Sequence, residues 1–223
     1  MGLTGNGTGL MARGVAGILG LMAPALVLAA ELNLEILGPD GEALSHAAVA
    51  LLPEAPRSDE TDSAHAVVDQ RDRQFHPYVT TVATNTLVSF PNSDDIRHHV
   101  YSFSPAKRFE LRLYHGTTAE PVLFDRAGAV TLGCNIHDAM IAFIYVVDTD
   151  WHGVSDSDGQ LQLTDLPAGD YQLQVQHPRL SEPVTRSLTL ADSGSVTERV
   201  QLDRLGPDPR GDREPSDLQR LFD

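Results

Sequence analysis

Leu32, Leu34 and Ile36 alternate with Asn33 and Glu35, the period-two pattern of a strand that buries one face. Gly38-Pro39-Asp40-Gly41 follows as a turn and residues 47–52 run apolar, so residues 31–52 are expected to form a β-hairpin. Residues 53–64 are rich in Pro, Ser, Asp and Glu and read as a linker. From residue 65 to 148 the apolar runs shorten. They are Val67-Val68, Phe75 with Tyr78, residues 79–90, 98–103, 109–114, 122–124, 130–132 and 141–147. About seven short strands over roughly 80 residues, with turn-formers between them, predict a β-sandwich. Over residues 149–203 the longer alternation of the start returns. Asp156-Ser157-Asp158-Gly159 reads as a hairpin turn before Leu161 and Leu163, and residues 171–175, 184–190 and 196–202 alternate. These are the expected strands of a second, smaller sandwich. Residues 204–223 are rich in Pro and charge, which predicts a disordered tail.

The first 30 residues hold one base, Arg13, and no acid; the apolar run over 15–30 ends in small residues. That is the layout of a cleavable signal peptide, with Met11 an alternative start to Met1. An uncleaved anchor is the other reading, but Gly residues and Pro24 leave the run short and broken for a span. The expected location is therefore periplasmic or secreted, with no stable membrane insertion after cleavage. Charge adds a constraint: 31 acidic against 16 basic residues give a net −15. Such a surface repels nucleic-acid phosphate and suits a protein partner with a basic face; it equally serves solubility alone. The single cysteine, Cys134, forms no disulfide within the chain. In an oxidising compartment it calls for metal ligation, intermolecular pairing or inert burial.

The chemistry concentrates in Gly133-Cys134-Asn135-Ile136-His137-Asp138-Ala139-Met140. Thiolate, imidazole and thioether form a soft to borderline donor set, and the thioether selects copper over zinc, calcium or magnesium. Flanking apolar runs make this a ligand loop between two strands, and the loop must curl to bring three side chains to one ion. A mononuclear electron-transfer copper site needs a second imidazole, and His98 and His99 are the candidates. Strand parity puts His99 with Tyr101 and Phe103, the more core-like face, against His98 with Val100 and Ser102. Other chemistries find no support. The Asp148, Asp150, Asp156 and Asp158 spacing fails for an EF-hand. Nucleophile-elbow and phosphate-loop sequences are absent, as are the extra His-x-His pairs of a multicopper oxidase. An enzyme is not expected.

Cys-x-x-His-x-x-Met on a late hairpin, with a His-x-Val upstream, resembles the cupredoxins, the blue copper proteins. The two-residue gap before Met140 is like that of the amicyanins. Phe90-Pro91-Asn92-Ser93-Asp94, His98-His99-Val100-Tyr101-Ser102-Phe103 and Gly133-Cys134-Asn135-Ile136-His137 look like the exported plastocyanin-like proteins often labelled methylamine utilisation proteins. The resemblance covers residues 65–148 and implies an all-β Greek-key sandwich carrying one type 1 copper. It assigns His98, Cys134, His137 and the axial Met140 as ligands, because the family's His-Asn-Val triplet falls on His98. His99 stands where the family has Asn, and remains the alternative ligand or a hydrogen-bonding neighbour of the site. The implied activity is one-electron transfer with a redox partner through the His137 edge. A copper-holding or delivery protein without such a partner and a metal-free interaction module are the rival readings. Residues 31–52 and 149–203 resemble a carboxypeptidase regulatory-like (transthyretin-like) sandwich, with the copper unit inserted in or beside it.

Overall fold

The computed structural model describes residues 1–2, 29–54, 64–116, 120–137 and 139–211. All but residues 1–2 and 29–30 of the expected signal peptide, all but the ends of the linker, and residues 212–223 lie outside the described residues; Ala30, the last residue of the expected leader, already opens β1 (Ala30–Leu37). The fold is all-β, with no helix among the described residues. Two strands come first, β1 (Ala30–Leu37) and β2 (Ala48–Pro53). The middle of the chain gives β3 (His65–Val67), β4 (Asp69–Arg71), β5 (Gln74–His76), β6 (Val79–Ala83) and β7 (Thr86–Ser89). It continues with β8 (His98–Phe103), β9 (Arg108–Tyr114), β10 (Val122–Phe124), β11 (Gly128–Gly133) and β12 (Ile141–Val147). Five strands follow, β13 (His152–Val154), β14 (Gln160–Leu166), β15 (Gly169–Gln176), β16 (Val184–Leu190) and β17 (Gly194–Gln201).

The outer sheets run β14-β1-β17 and β13-β2-β15-β16. Leu32, Leu34 and Ile36 of β1 meet Val49, Leu51, Leu173 and Val175 in one aliphatic core, as the alternation requires. The expected 31–52 hairpin is not formed. β1 and β2 lie in different sheets, and β1 pairs instead with β17 in parallel and with β14 antiparallel. The Gly38–Gly41 turn is real, closed by Gly38 N donating to Glu42 O at 2.8 Å, but it starts a crossing between sheets. Asp156-Ser157-Asp158-Gly159 likewise turns, with Gly159 N donating to Asp156 O at 3.1 Å, yet β13 and β14 belong to opposite sheets. Gly159 has φ +72° and a Cβ there would sit 2.4 Å from Ile36 O, so only glycine fits.

The inner sheets run β6-β12-β11-β8-β9 and β10-β7-β3, with the small β4-β5 hairpin alongside. Phe75, Phe90, Phe124, Leu132 and Ile144 fill their core together with Cys134 and Met140. β2 and β12, with β13 and β6 beside them, line the wall between the two halves. Ala48, Val79 and Tyr145 are buried together there, with Tyr78, Phe143 and Val154 against them. β2 and β12 are therefore covered on both faces, which is why residues 48–51 and 144–147 read as unbroken apolar runs. Thr149 Oγ1 donates to Leu51 O at 2.8 Å and His152 Nδ1 lies 2.9 Å from Thr81 Oγ1 across this wall. Disorder was expected from residue 204, but residues 204–211 are held in place. Gly206 N donates to Arg179 O at 2.7 Å, and the Arg210 guanidinium lies 4.0 Å from the centre of the Tyr78 ring. Apolar contact and hydrogen bonding override the local composition.

Candidate metal centre

β11 ends at Gly133 and β12 begins at Ile141, paired to each other, so the hairpin delivers both ends of the Cys134 to Met140 loop to one place. Met140 N donates to His137 O at 3.0 Å and Cys134 N to Met140 O at 3.3 Å, which curls the loop inward. A Cβ on Gly133 would lie 2.8 Å from the Tyr101 ring; the bare backbone lets β8 approach the loop. Cys134 is 3% exposed, His137 7% and Met140 1%. Asp138 lies outside the described residues.

β8 brings the imidazole. His98, Val100 and Ser102 face the inner core, whereas Phe103 is 75% exposed. His99 lies on the other face, its Nε2 3.0 Å from Glu110 Oε1 and its ring against Tyr101. The core-facing side of β8 is therefore that of His98, Val100 and Ser102, and not that of His99, Tyr101 and Phe103. An irregularity opposite His98 and Val100 shifts the register of β9. Phe109, Leu111 and Tyr114 consequently all turn to the inner core despite the change of parity between them.

His98 Nδ1, Cys134 Sγ and His137 Nδ1 converge. The separations are 3.2 Å between the two nitrogens, 4.0 Å from the sulfur to His98 and 3.7 Å from the sulfur to His137. All three side chains are buried and they form the metal-binding constellation found among the described residues. A triangle with those sides has a point about 2.1 Å from every corner, close to the ~2.0–2.3 Å bond lengths imidazole nitrogen and thiolate sulfur adopt on a first-row divalent ion. The donor set fits such an ion without rearrangement. His99 is not part of the triangle. Met140 shares the apolar cluster of Cys134 with Phe90, Val100 and Leu132, an environment that keeps water from the donors.

Residues around the triangle were not all visible in advance. His98 Nε2 lies 2.6 Å from Asp94 Oδ2, a carboxylate that the sequence presents as one of several loop acids. Burial raises the Asp94 pKa, but hydrogen bonds from Arg73 N, His98 and Asp72 N outweigh it and hold the carboxyl below its ordinary range. Its spacing four residues before His98 was the available signal. Tyr114 is a second such residue. Its hydroxyl donates to Phe90 O at 2.6 Å and accepts from Gln70 Nε2. Burial pushes this phenol up to about 12, opposed by the Gln70 donor and reinforced by the nearby Cys134 sulfur.

No family model matches the sequence, and no curated protein matches it. Among solved structures the chain is similar to a copper-containing nitrite reductase from Thermus scotoductus SA-01, at 20% identity and TM-score 0.37. That match covers 44% of this chain and 25% of the reductase, so the chain spans a quarter of that protein's length. A purple cupredoxin from Nitrosopumilus maritimus matches at 16% identity and TM-score 0.33, over 37% of this chain and 99% of the cupredoxin. A reduced, Cu(I) amicyanin variant matches at 20% identity and TM-score 0.34, over 44% of this chain and 98% of the amicyanin.

Proposed function

We infer that this chain is an exported one-electron carrier holding one type 1 copper ion through His98, Cys134 and His137, with Met140 as the weak axial donor. The observation that supports it most is the buried triangle of two imidazole nitrogens and one thiol sulfur, 3.2 to 4.0 Å apart. A thioether closes the same loop, and that combination is the one expected of electron-transfer copper. Copper held there would supply one-electron exchange between its two common charge states. The protein's part is to keep the donors at fixed spacing, exclude water and offer a route to the surface. Cys134 is the anchor, its proton lost on binding, and the hydrogen bonds of Met140 to His137 and Cys134 fix the loop around it. His137 keeps 7% of its surface exposed while His98 is at 0%, so the His137 ring is the edge through which electrons enter or leave. The acidic surface, net −15, suits a redox partner with a basic face. The leader-like composition of residues 1–30 supports a location in the periplasm or outside the cell. No described helix is long and apolar enough to cross a membrane. The carboxypeptidase regulatory-like half would serve as a binding or spacing module.

The optical spectrum of the copper-loaded protein tests this reading. The expected result is an intense visible thiolate-to-copper band, with Cys134→Ser abolishing it. A native protein without such a band, or a Ser variant that keeps it, overturns the assignment.

A further inference from the structure

The small hairpin β4-β5 has no place in the ligand set, yet its tip points at it. Asp72 and Arg73 form that tip with φ of 55° and 57°, the two positive values of a type I′ turn. Their amides lie side by side and both serve Asp94. Asp72 N donates to Oδ1 at 2.7 Å and Arg73 N to Oδ2 at 3.0 Å. The loop carrying Asp94 is stitched along the hairpin as well. Gln70 N donates to Pro91 O at 3.0 Å, Ser93 N to Gln70 O at 2.9 Å, and Asp94 N to Asn92 Oδ1 at 3.1 Å. The Asp94 side chain, 12% exposed, is thereby fixed from two directions, and it meets the fully buried His98 Nε2 at 2.6 Å.

A carboxylate oxygen only accepts, so His98 donates through Nε2 and keeps the lone pair of Nδ1 for the triangle with Cys134 and His137. We propose that Asp94, clamped by the hairpin tip, is the positioning residue of the metal centre: it sets the His98 tautomer and ring orientation and places a negative charge behind the ligand. This rests on the copper reading for its redox consequence, but not for the tautomer. A negative charge behind the imidazole favours the more highly charged copper state and so lowers the reduction potential. The pair one residue along supplies an internal control. His99 Nε2 also meets a carboxylate, Glu110 at 3.0 Å, but on the opposite face of β8.

Asp94→Asn is the test, with Glu110→Gln beside it. The substitution is nearly isosteric, but an amide has one oxygen where three donors (Asp72 N, Arg73 N and His98 Nε2) now share two. In the metal-free protein at pH 8, nitrogen-15 NMR should show His98 as the Nε2–H tautomer in the native chain and in Glu110→Gln. Asp94→Asn should show a mixture. With copper, Asp94→Asn should bind Cu(II) about 10–100-fold more weakly. The potential should rise by about 59 mV for each tenfold by which Cu(II) loses more than Cu(I). Glu110→Gln should change neither. An unaltered His98 tautomer in Asp94→Asn overturns the positioning role, as does an effect of equal size in Glu110→Gln. If the native protein gives no thiolate-to-copper band, the copper reading fails while the metal-free arm still decides what Asp94 does.

Discussion

β1 and β8 obey the same alternation and put it to different uses. In β1 the inward residues are Ala30, Leu32, Leu34 and Ile36, all buried and all aliphatic. In β8 the corresponding set is His98, Val100 and Ser102, equally buried. The contrast extends to the two halves. Gln70, Thr86, Asn92, His98, His99, Ser102 and His137 are buried polar residues of the inner half, against Thr149, Ser155 and His177 in the outer one. An aliphatic interior stabilises without further conditions, at roughly 25 cal/mol for each Å² removed from water. A polar interior stabilises only if its hydrogen bonds are complete, so the inner half carries a network where the outer half needs only shape.

The comparison breaks most severely at Leu34. Leu34→Ala should cost about 2–5 kcal/mol of stability, read by denaturant unfolding, while leaving the copper spectrum of the folded fraction unchanged. Next comes a strongly perturbed histidine of the outer half, His177. Burial lowers the His177 pKa to about 4, with the hydrogen bond to Ser45 opposing and Arg179 assisting. The unfolded ring takes up a proton below about 6.5 and the folded ring only near 4. Stability present above pH 6.5 is therefore lost as the pH falls towards 4, on the order of 3 kcal/mol in all. Stability measured between pH 7 and 4 should lose that slope in His177→Gln. Copper sharpens the contrast from the other side. At a free concentration about 100 times its Kd it should add about 2.7 kcal/mol. Amide exchange should slow first over β8, β11 and β12, and an equal early gain over β1 and β14 would contradict the division. The smallest effect belongs to the boundary. Arg210→Ala removes the cation from the Tyr78 ring and should cost about 0.5–1 kcal/mol, a change in melting temperature with no change in the spectrum.

How much of this was legible depends on the range of the signal. The Cys134 loop was readable because its candidate donors and flanking strands are contiguous. The β1–β17 pairing was not: nothing near Gly38-Pro39-Asp40-Gly41 indicates that Leu32 will lie beside Val196. Local turn chemistry was right and the partner wrong. On β8, Tyr101 and Phe103 drew the apparent core to the wrong face, since aromatic residues tolerate an exposed sheet surface. The position of His98 beside the other donors follows instead from Val100 and Ser102. Asp94 was hidden for a different reason. Between Ser93 and Asp95 it reads as a turn former, its spacing from His98 is the one local signal, and the distant tip of β4-β5 holds it beside that imidazole.

The shared wall of β2 and β12 has a practical corollary. Cutting out residues 65–147 to isolate the candidate metal centre would strip Val79, Phe143 and Tyr145 of their cover and bare an oily flank. Such a fragment should self-associate, and the two halves are better handled as one object.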